Sequence, residues 1–300
     1  MLSVEVVGGA DAGAVVTQLR SLDEAGLLRV TTRPRWAEHA TPVALVVAAP
    51  SVVGARSEAE VLQQVDVVLR ADEPLDEQVT RLWTARLYPY AAGLAGRPDA
   101  GGPAVLHPHD QRWPAAADRR LRRLRVALTP AEGSADFRFD HIGSTVIPGL
   151  SAKPTLDLQV LVPHLDYTLR FDALLHRVGY RPAVGSRPDS PGVHRDLPRG
   201  GEQVPDAVWE KRLFCSRDPV QPSILHIRQA ASPWGRYPVL FRDWLRAHPV
   251  ERDRYQRLKL AVAAEHADDA DYDDYTRAKT AYFDRVQPEI DRPAATSAQP

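Results

Sequence analysis

The chain has one cysteine and one methionine in 300 residues, and only four of its 38 basic residues are lysine. Each scarcity excludes something. A lone cysteine, Cys215, rules out a disulfide framework and a cysteine-based zinc site, and it suits a reducing compartment. A formal net charge of -1 gives no global pull toward nucleic acid or a membrane surface. The arginines are dispersed and form no aromatic–basic stripe, so no nucleic-acid partner is expected. The longest apolar stretch, "PVALVVAAPSVVGA", is too short to span a bilayer and is broken by Pro50. Met1–Gly13 has no basic segment of the signal-peptide kind. The expectation is a cytoplasmic protein without a membrane partner. No lysine precedes Lys153, so the N-terminal third cannot supply the lysine of a phosphate-binding loop.

The length suits two domains of ordinary size. The first third reads as α/β. "LSVEVV" is a short β-rich run, "AVVTQLRSLDEAGLL" is an amphipathic helix pattern, and "VALVVAA" has the unbroken apolar character of a buried parallel strand. "VDVVLRA" is a further strand candidate. Val79, Leu82, Trp83, Leu87 and Tyr90 recur at helical spacing. A Gly/Pro-rich break follows, with a linker at 98–104. A second region covers 105–288, and the tail 289–300 is expected to be disordered. The fold class is thus α/β (α+β) in two domains.

The stretch "VVGGADAGAVV" places Gly8 and Gly13 at the glycine spacing of a P-loop, G-x-x-x-x-G-K-[ST]. Ala14 and Val15 stand where the lysine and hydroxyl belong, and Asp11 puts a negative charge inside the loop. An ordinary strand–turn–helix connection reads equally well from these residues. Further on, "DVVLRADEPLDEQVTRLWTARLYPYAAGLAGR" resembles the closing segment of actinobacterial dephospho-coenzyme A kinases. The opening strand and loop fall in register with the same family. Residues 1–97 therefore resemble a shortened, inactivated P-loop kinase domain, in which kinase activity is not expected.

The richest stretch is "FDHIGSTVIPGLSAKPTLDLQVLV", residues 139–162. It reads as a strand end, a tight Gly-Ser turn, a Pro/Gly-rich loop and a strand. In that strand Leu156, Leu158 and Val160 face one way, and Asp157 and Gln159 the other. Gly143 lets backbone approach a ligand, while Ser144 and Thr145 offer hydroxyls and N–H groups to phosphate oxygens. This is the arrangement of nucleotidyltransferase folds, where a D-x-[DE] pair after the turn holds Mg²⁺. Asp157 matches the first carboxylate, as metal ligand and catalytic residue. Gln159 replaces the second, which argues against turnover.

The signature "HIGSTVIPGLSAKPTLDLQV" resembles the GrpB family, which has a nucleotidyltransferase-like fold and no settled activity. "HPHDQRWPAAADRRLRRLRVAL", "SILHIRQA", "FRDWLRAHPVERDRYQRLKLAVA" and "YTRAKTAYFDRV" extend the resemblance over most of 105–288. GrpB domains also occur fused behind dephospho-coenzyme A kinases in actinobacteria. The resemblance implies a mixed sheet with flanking helices.

The lysines bear on the same pocket. Lys153 lies between the turn and Asp157. Lys259 and Lys279 each follow a tyrosine, Tyr255 and Tyr275, by four residues, so each pair shares a helix face. They can approach a base and its phosphates, or simply lie on a solvated face. His141 and His226 can act as acid, base or phosphate contact, or as hydrogen-bonded structural residues. Arg187, Arg195 and Arg199, in the long loop 181–206, can close over an anion or remain solvated. Two readings stand. One is a protein that binds a nucleotide or phosphorylated small molecule, with weak or no nucleotidyl transfer. The other is a non-catalytic accessory module, with an intact dephospho-coenzyme A kinase as a candidate partner.

Overall fold

The structure is a computed structural model that describes residues 1–34, 41–53, 57–96, 102–168, 170–185, 187–190, 192–198 and 201–291. Most of the expected linker, the last nine residues and Arg199 lie outside this set.

The first region is built on a four-stranded parallel sheet. Its strands are β1 (Leu2–Val7), β2 (Leu28–Arg33), β3 (Leu45–Ala48) and β4 (Val67–Val68), in the order β2-β1-β3-β4. The central strands are apolar runs because both of their faces are covered: every residue of β3 is buried. β2 was not anticipated. As an edge strand it buries only Leu28 fully, so it carries no apolar run to read. "VDVVLRA" yields only the two-residue β4. Helix α1 (Ala10–Leu22) packs Ala12, Val15, Val16 and Leu19 against the sheet. Two short helices follow, α2 (Pro50–Val53) and α3 (Glu58–Leu62), the latter closed by a Ser57–Glu60 capping box. The helical spacing read from Val79 to Tyr90 becomes α4 (Leu75–Leu82) and α5 (Tyr88–Ala95), joined by a π-helical segment at Trp83–Leu87. That segment shifts the helix phase and turns Arg86 inward, leaving it 7% exposed.

The second sheet is mixed and five-stranded. Its strands are β5 (Arg138–Ile142), β6 (Leu156–Val162), β7 (Arg181–Pro182), β8 (Lys211–Ser216) and β9 (Ser223–Gln229), in the order β5-β6-β9-β8-β7. Only β6 and β9 run parallel. One face packs on α6 (Trp113–Leu128) and α7 (Phe171–His176), with Leu156, Leu158, Val160, Phe214, Leu225 and Ile227 in the core. Toward the other side lie α8 (Pro233–Ala247), α9 (Pro249–Glu265), α10 (Asp273–Ala278) and α11 (Thr280–Ile290). Leu245, Tyr255, Tyr282 and Val286 from these helices enclose Val146, Ile147 and Leu150.

The two regions meet at a seam of buried ion pairs. Arg86 grips Asp218 in a two-pronged contact, at 2.9 and 2.7 Å, and Arg120 of α6 shares that carboxylate at 2.8 Å. Arg123 and Arg119 of α6 reach back to Asp66, at 2.6 and 3.4 Å. Burial alone would raise the Asp66 pKa, but Arg123, Arg119 and Arg86 together hold it far below the usual carboxylate range. The Tyr90 hydroxyl meets Ser216 Oγ at 2.7 Å. Among the described residues, no helix is long and apolar enough to cross a membrane.

Candidate functional site

The Gly-Ser turn closes β5 and faces β6. Gly143 has φ 74°, and a Cβ there would sit 2.3 Å from Asp157 Oδ2. Glycine is therefore required twice, for the left-handed backbone and for the close approach of the carboxylate. Alternation along β6 sends Leu156 and Leu158 into the core and Asp157 to the opposite face, as expected. The next residue, Ser144, lies beside the Tyr255 phenol, which burial pushes well above its ordinary pKa and which also senses the charge of Asp157. Ser144 and Asp157 thus converge on one cleft. Asp157 is enclosed by protein on its flanks, yet its side chain keeps 36% of its accessible surface, as at the bottom of an open depression.

Three lysines surround that carboxylate. Lys153 Nζ lies 3.4 Å from the centre of the Tyr272 ring, and Lys279 Nζ lies 3.9 Å from that of Tyr275. Lys259 is 2% exposed; it donates to the Ser151 carbonyl and lies 5.6 Å from the Tyr255 ring. Burial pushes the Asp157 carboxyl up, against the pull of Lys153, Lys279, Lys259 and Arg228. Burial lowers Lys153 to about 8, with Asp157 and Asp273 resisting. It lowers Lys279 to about 7, reinforced by Lys153 and resisted by Asp157. Among the described residues, neither the Lys153 nor the Lys279 ammonium has a hydrogen-bond acceptor, and the Asp157 carboxylate has no donor.

Beneath the cleft lies a closed polar network. His226 Nε2 points at Asp157 Oδ1 from 4.0 Å. Its Nδ1 faces Lys211 Nζ at 3.2 Å and Arg228 Nη2 at 3.1 Å. Asp196, 4% exposed, binds Lys211 at 2.8 Å and Arg228 at 2.6 Å. Gln159 is fully buried: its amide oxygen accepts from Arg228 at 2.8 Å and its nitrogen donates to the Gly235 carbonyl at 2.9 Å.

The remaining expected residues fall elsewhere. The His141 ring nitrogen and the Thr145 hydroxyl bond each other at 2.9 Å, and both residues are buried. Burial, with Arg246 and Arg242 nearby, drops His141 to about 3, so it is a neutral structural partner of Thr145. Of the loop arginines, Arg187 is paired with Asp271 and Asp274 and Arg195 with Asp206. Asp196, Arg228 and Tyr272 were missed. Arg228 was readable from strand alternation with His226, whereas Asp196 sits in an aperiodic loop that gives no signal.

The residues present do not fit a resident Mg²⁺. Gln159 spends its amide oxygen on Arg228, Asp157 is ringed by cations, and among the described residues no three His, Cys, Asp or Glu side chains cluster as ligands. A separate cavity of about 540 Å³, lined by Arg125, Arg138, Asp140 and Arg236 among others, contains none of these lysines.

The glycine turn of the first region is already filled. The Gly9 N–H donates to Ser51 Oγ at 2.9 Å, and the Asp11 carboxylate accepts from the Ser51 N–H at 2.7 Å and its hydroxyl at 2.5 Å. The Asp11 carboxylate, the Ser51 hydroxyl and the Gly9 N–H thus satisfy one another within the turn.

A family model described as GrpB protein matches residues 103–289. A dephospho-CoA kinase of Mycolicibacterium paratuberculosis is 33% identical over 214 residues, covering 70% of this chain and 51% of that protein. The chain thus spans about half the length of the kinase-named relatives it matches. A UPF0157 protein of Halalkalibacterium halodurans is 29% identical over 188 residues, covering 63% of this chain and 78% of that one. The crystal structure of the conserved protein GrpB from Enterococcus faecalis aligns over 62% of this chain and 96% of its own, with a TM-score of 0.47 and 22% identity. With more than half of its length matched by the family model, the chain belongs to the GrpB family.

Proposed function

We propose that the cleft around Asp157 binds a nucleotide or another phosphorylated small molecule, with weak or no nucleotidyl transfer. One observation carries this reading: two half-buried ammonium groups and a half-buried carboxylate gather at one place without hydrogen-bond partners among the described residues. Partly withdrawn from water and without hydrogen-bond partners among the described residues, these charges stay open to a ligand. An anionic ligand supplies the partners that Lys153 and Lys279 lack, and Ser144 adds a hydroxyl beside them. The half-buried Tyr272 offers an aromatic surface to a base. Two-metal transfer needs shared carboxylates, and among the described residues no second carboxylate joins Asp157 in a metal-ligand cluster, which is why the expected transfer is weak or absent. Calorimetry with ATP, CTP, GTP and dephospho-coenzyme A, with and without Mg²⁺, tests the reading. Binding that Ser144→Ala and Lys279→Met both weaken supports it, and absence of binding by every ligand overturns it.

We read residues 1–97 as the remnant of a P-loop kinase-like domain. Kinase activity is not expected of it, because Ala14 and Val15 stand where the loop lysine and hydroxyl belong and Asp11 bonds within the turn. A second reading, an accessory module, is favoured by the seam. Arg86 and Arg120 spend buried charge on holding the two regions together, which suits a scaffold for an intact dephospho-coenzyme A kinase. Co-elution with such a kinase, lost in Asp218→Ala, is the expected outcome of that reading.

A further inference from the structure

The cleft sets donors against one acceptor. Lys153, Lys279 and His226 donate, and Asp157 accepts. The state of His226 follows from its neighbours. Lys211 and Arg228 are both cationic donors aimed at Nδ1, at 3.2 and 3.1 Å. Nδ1 must therefore be the bare, accepting nitrogen, and Nε2 must carry the hydrogen. Asp196 balances the two cations, at 2.8 and 2.6 Å, and Gln159 fixes the remaining arm of Arg228. Protonating Nδ1 would place a further cation against Lys211 and Arg228, so burial and both neighbours hold His226 in its neutral form. The Nε2–H then points toward Asp157 Oδ1 across 4.0 Å. That gap is too long for a direct hydrogen bond and leaves both groups available to a ligand.

A carboxylate inside a cationic pocket discriminates among anions. An oxygen that carries a hydrogen donates to it, whereas a bare anionic oxygen is repelled by it. Inorganic phosphate keeps a P–O–H at neutral pH, and sulfate has no hydrogen to give. We propose that Asp157 is the specificity-determining residue of this pocket: it admits anions that bring their own hydrogen-bond donor, a protonated phosphate or a phosphate ester with a neighbouring hydroxyl, and rejects aprotic anions such as sulfate. Asp196 acts as a positioning residue, setting through Lys211 and Arg228 the N–H that His226 offers to the same ligand. This inference rests on the anion-binding reading above.

Calorimetry of the full chain with inorganic phosphate and with sodium sulfate at pH 7 tests it. Phosphate is expected to bind at least about tenfold more tightly, the worth of one charge-assisted hydrogen bond. Asp157→Asn keeps the shape and replaces an acceptor oxygen by a donor NH₂, and it brings the two anions within about threefold by strengthening sulfate. Equal affinities in the wild type, or an unchanged preference in Asp157→Asn, overturn the inference and leave the anion pocket standing. No binding of either anion overturns the pocket, and the inference with it. Imidazole nitrogen NMR reads the relay without any ligand. An Nε2–H tautomer that persists from pH 5 to 8 supports it, and an Nδ1–H tautomer refutes it. His226→Gln, whose amide nitrogen stands near the Nε2 position, retains phosphate affinity within about threefold, while His226→Ala loses about tenfold. Equal losses in both variants would make the histidine merely structural and overturn its role as a donor.

Discussion

Two glycine turns in this chain follow the ends of strands, and both need glycine for a close approach. A Cβ on Gly8 would lie 2.7 Å from that of Ala49, and one on Gly143 would lie 2.3 Å from the Asp157 carboxylate. Their chemistry is opposite. At the first turn, the Asp11 carboxylate and Ser51 satisfy each other and the Gly9 N–H. At the second, Asp157 and the ammoniums of Lys153 and Lys279 attract one another without hydrogen-bond contact. The backbone shape of a phosphate cradle is therefore not what marks a site. On the proposed reading, what marks it is charge left without a hydrogen-bond partner among the described residues.

The contrast presumes that the two regions form one body, and the largest expected effect tests that. Asp218→Ala leaves Arg86 and Arg120 buried without their carboxylate and should cost about 3–5 kcal/mol in chemical denaturation. A loss under about 1 kcal/mol would mean that the seam opens to water and the regions are loosely tethered. Lys279→Met comes next. It removes one of several like charges crowded into the cleft, so phosphate affinity should fall at least about tenfold while the folded state gains about 1 kcal/mol. Asp11→Ala is the counterpart in the first region. It strips the acceptor from Ser51 and should cost about 1 kcal/mol, with anion binding unchanged. Opposite signs of stability change in these two variants would sharpen the contrast, and equal signs would break it.

How much of this was legible in the sequence depended on locality. The Gly-Ser turn, the alternation around Asp157 and the Tyr–Lys spacing are short-range patterns, and the structure places Ser144, Asp157, Lys153, Lys259 and Lys279 together. Thr145 and His141 carried the same kind of local signal and were read toward the ligand. Their side chains close on each other instead, because a buried hydroxyl takes the nearest imidazole. Gln159 was read as a missing carboxylate. Its real partners, Arg228 and Gly235, come from a neighbouring strand and a distant helix, which no spacing encodes. Asp196 is the extreme case: 15 residues from Lys211 and 32 from Arg228, it is visible only once the loop has folded over the sheet. β2 escaped for a different reason, since an edge strand with half its residues in water has no hydrophobic period to detect.

The smallest effect is also the most diagnostic, because the two quantities measured should move in opposite directions. Burial, with Lys153 close by, lowers Lys279 to about 7, and burial lowers Lys153 to about 8, both from an ordinary 10.5. In the unfolded chain these amines stay protonated to about pH 10. From about pH 7 upward the unfolded state therefore holds more protons than the folded one, and stability rises with pH. The penalty is fully present below about pH 7 and disappears only as the pH passes the unfolded value. Anion binding runs the other way, since it needs the ammonium forms, and should weaken from pH 7 to 9 as they lose their protons. Urea denaturation and phosphate calorimetry at both pH values, on the wild type and on a Lys153→Met/Lys279→Met double variant, check both slopes. The double variant should gain less stability over that interval, since only Lys211, Lys259 and other shifted groups remain to titrate. A wild type that gained no more than the double variant would mean that these ammoniums are already satisfied within the fold. The second turn would then be as complete in itself as the first.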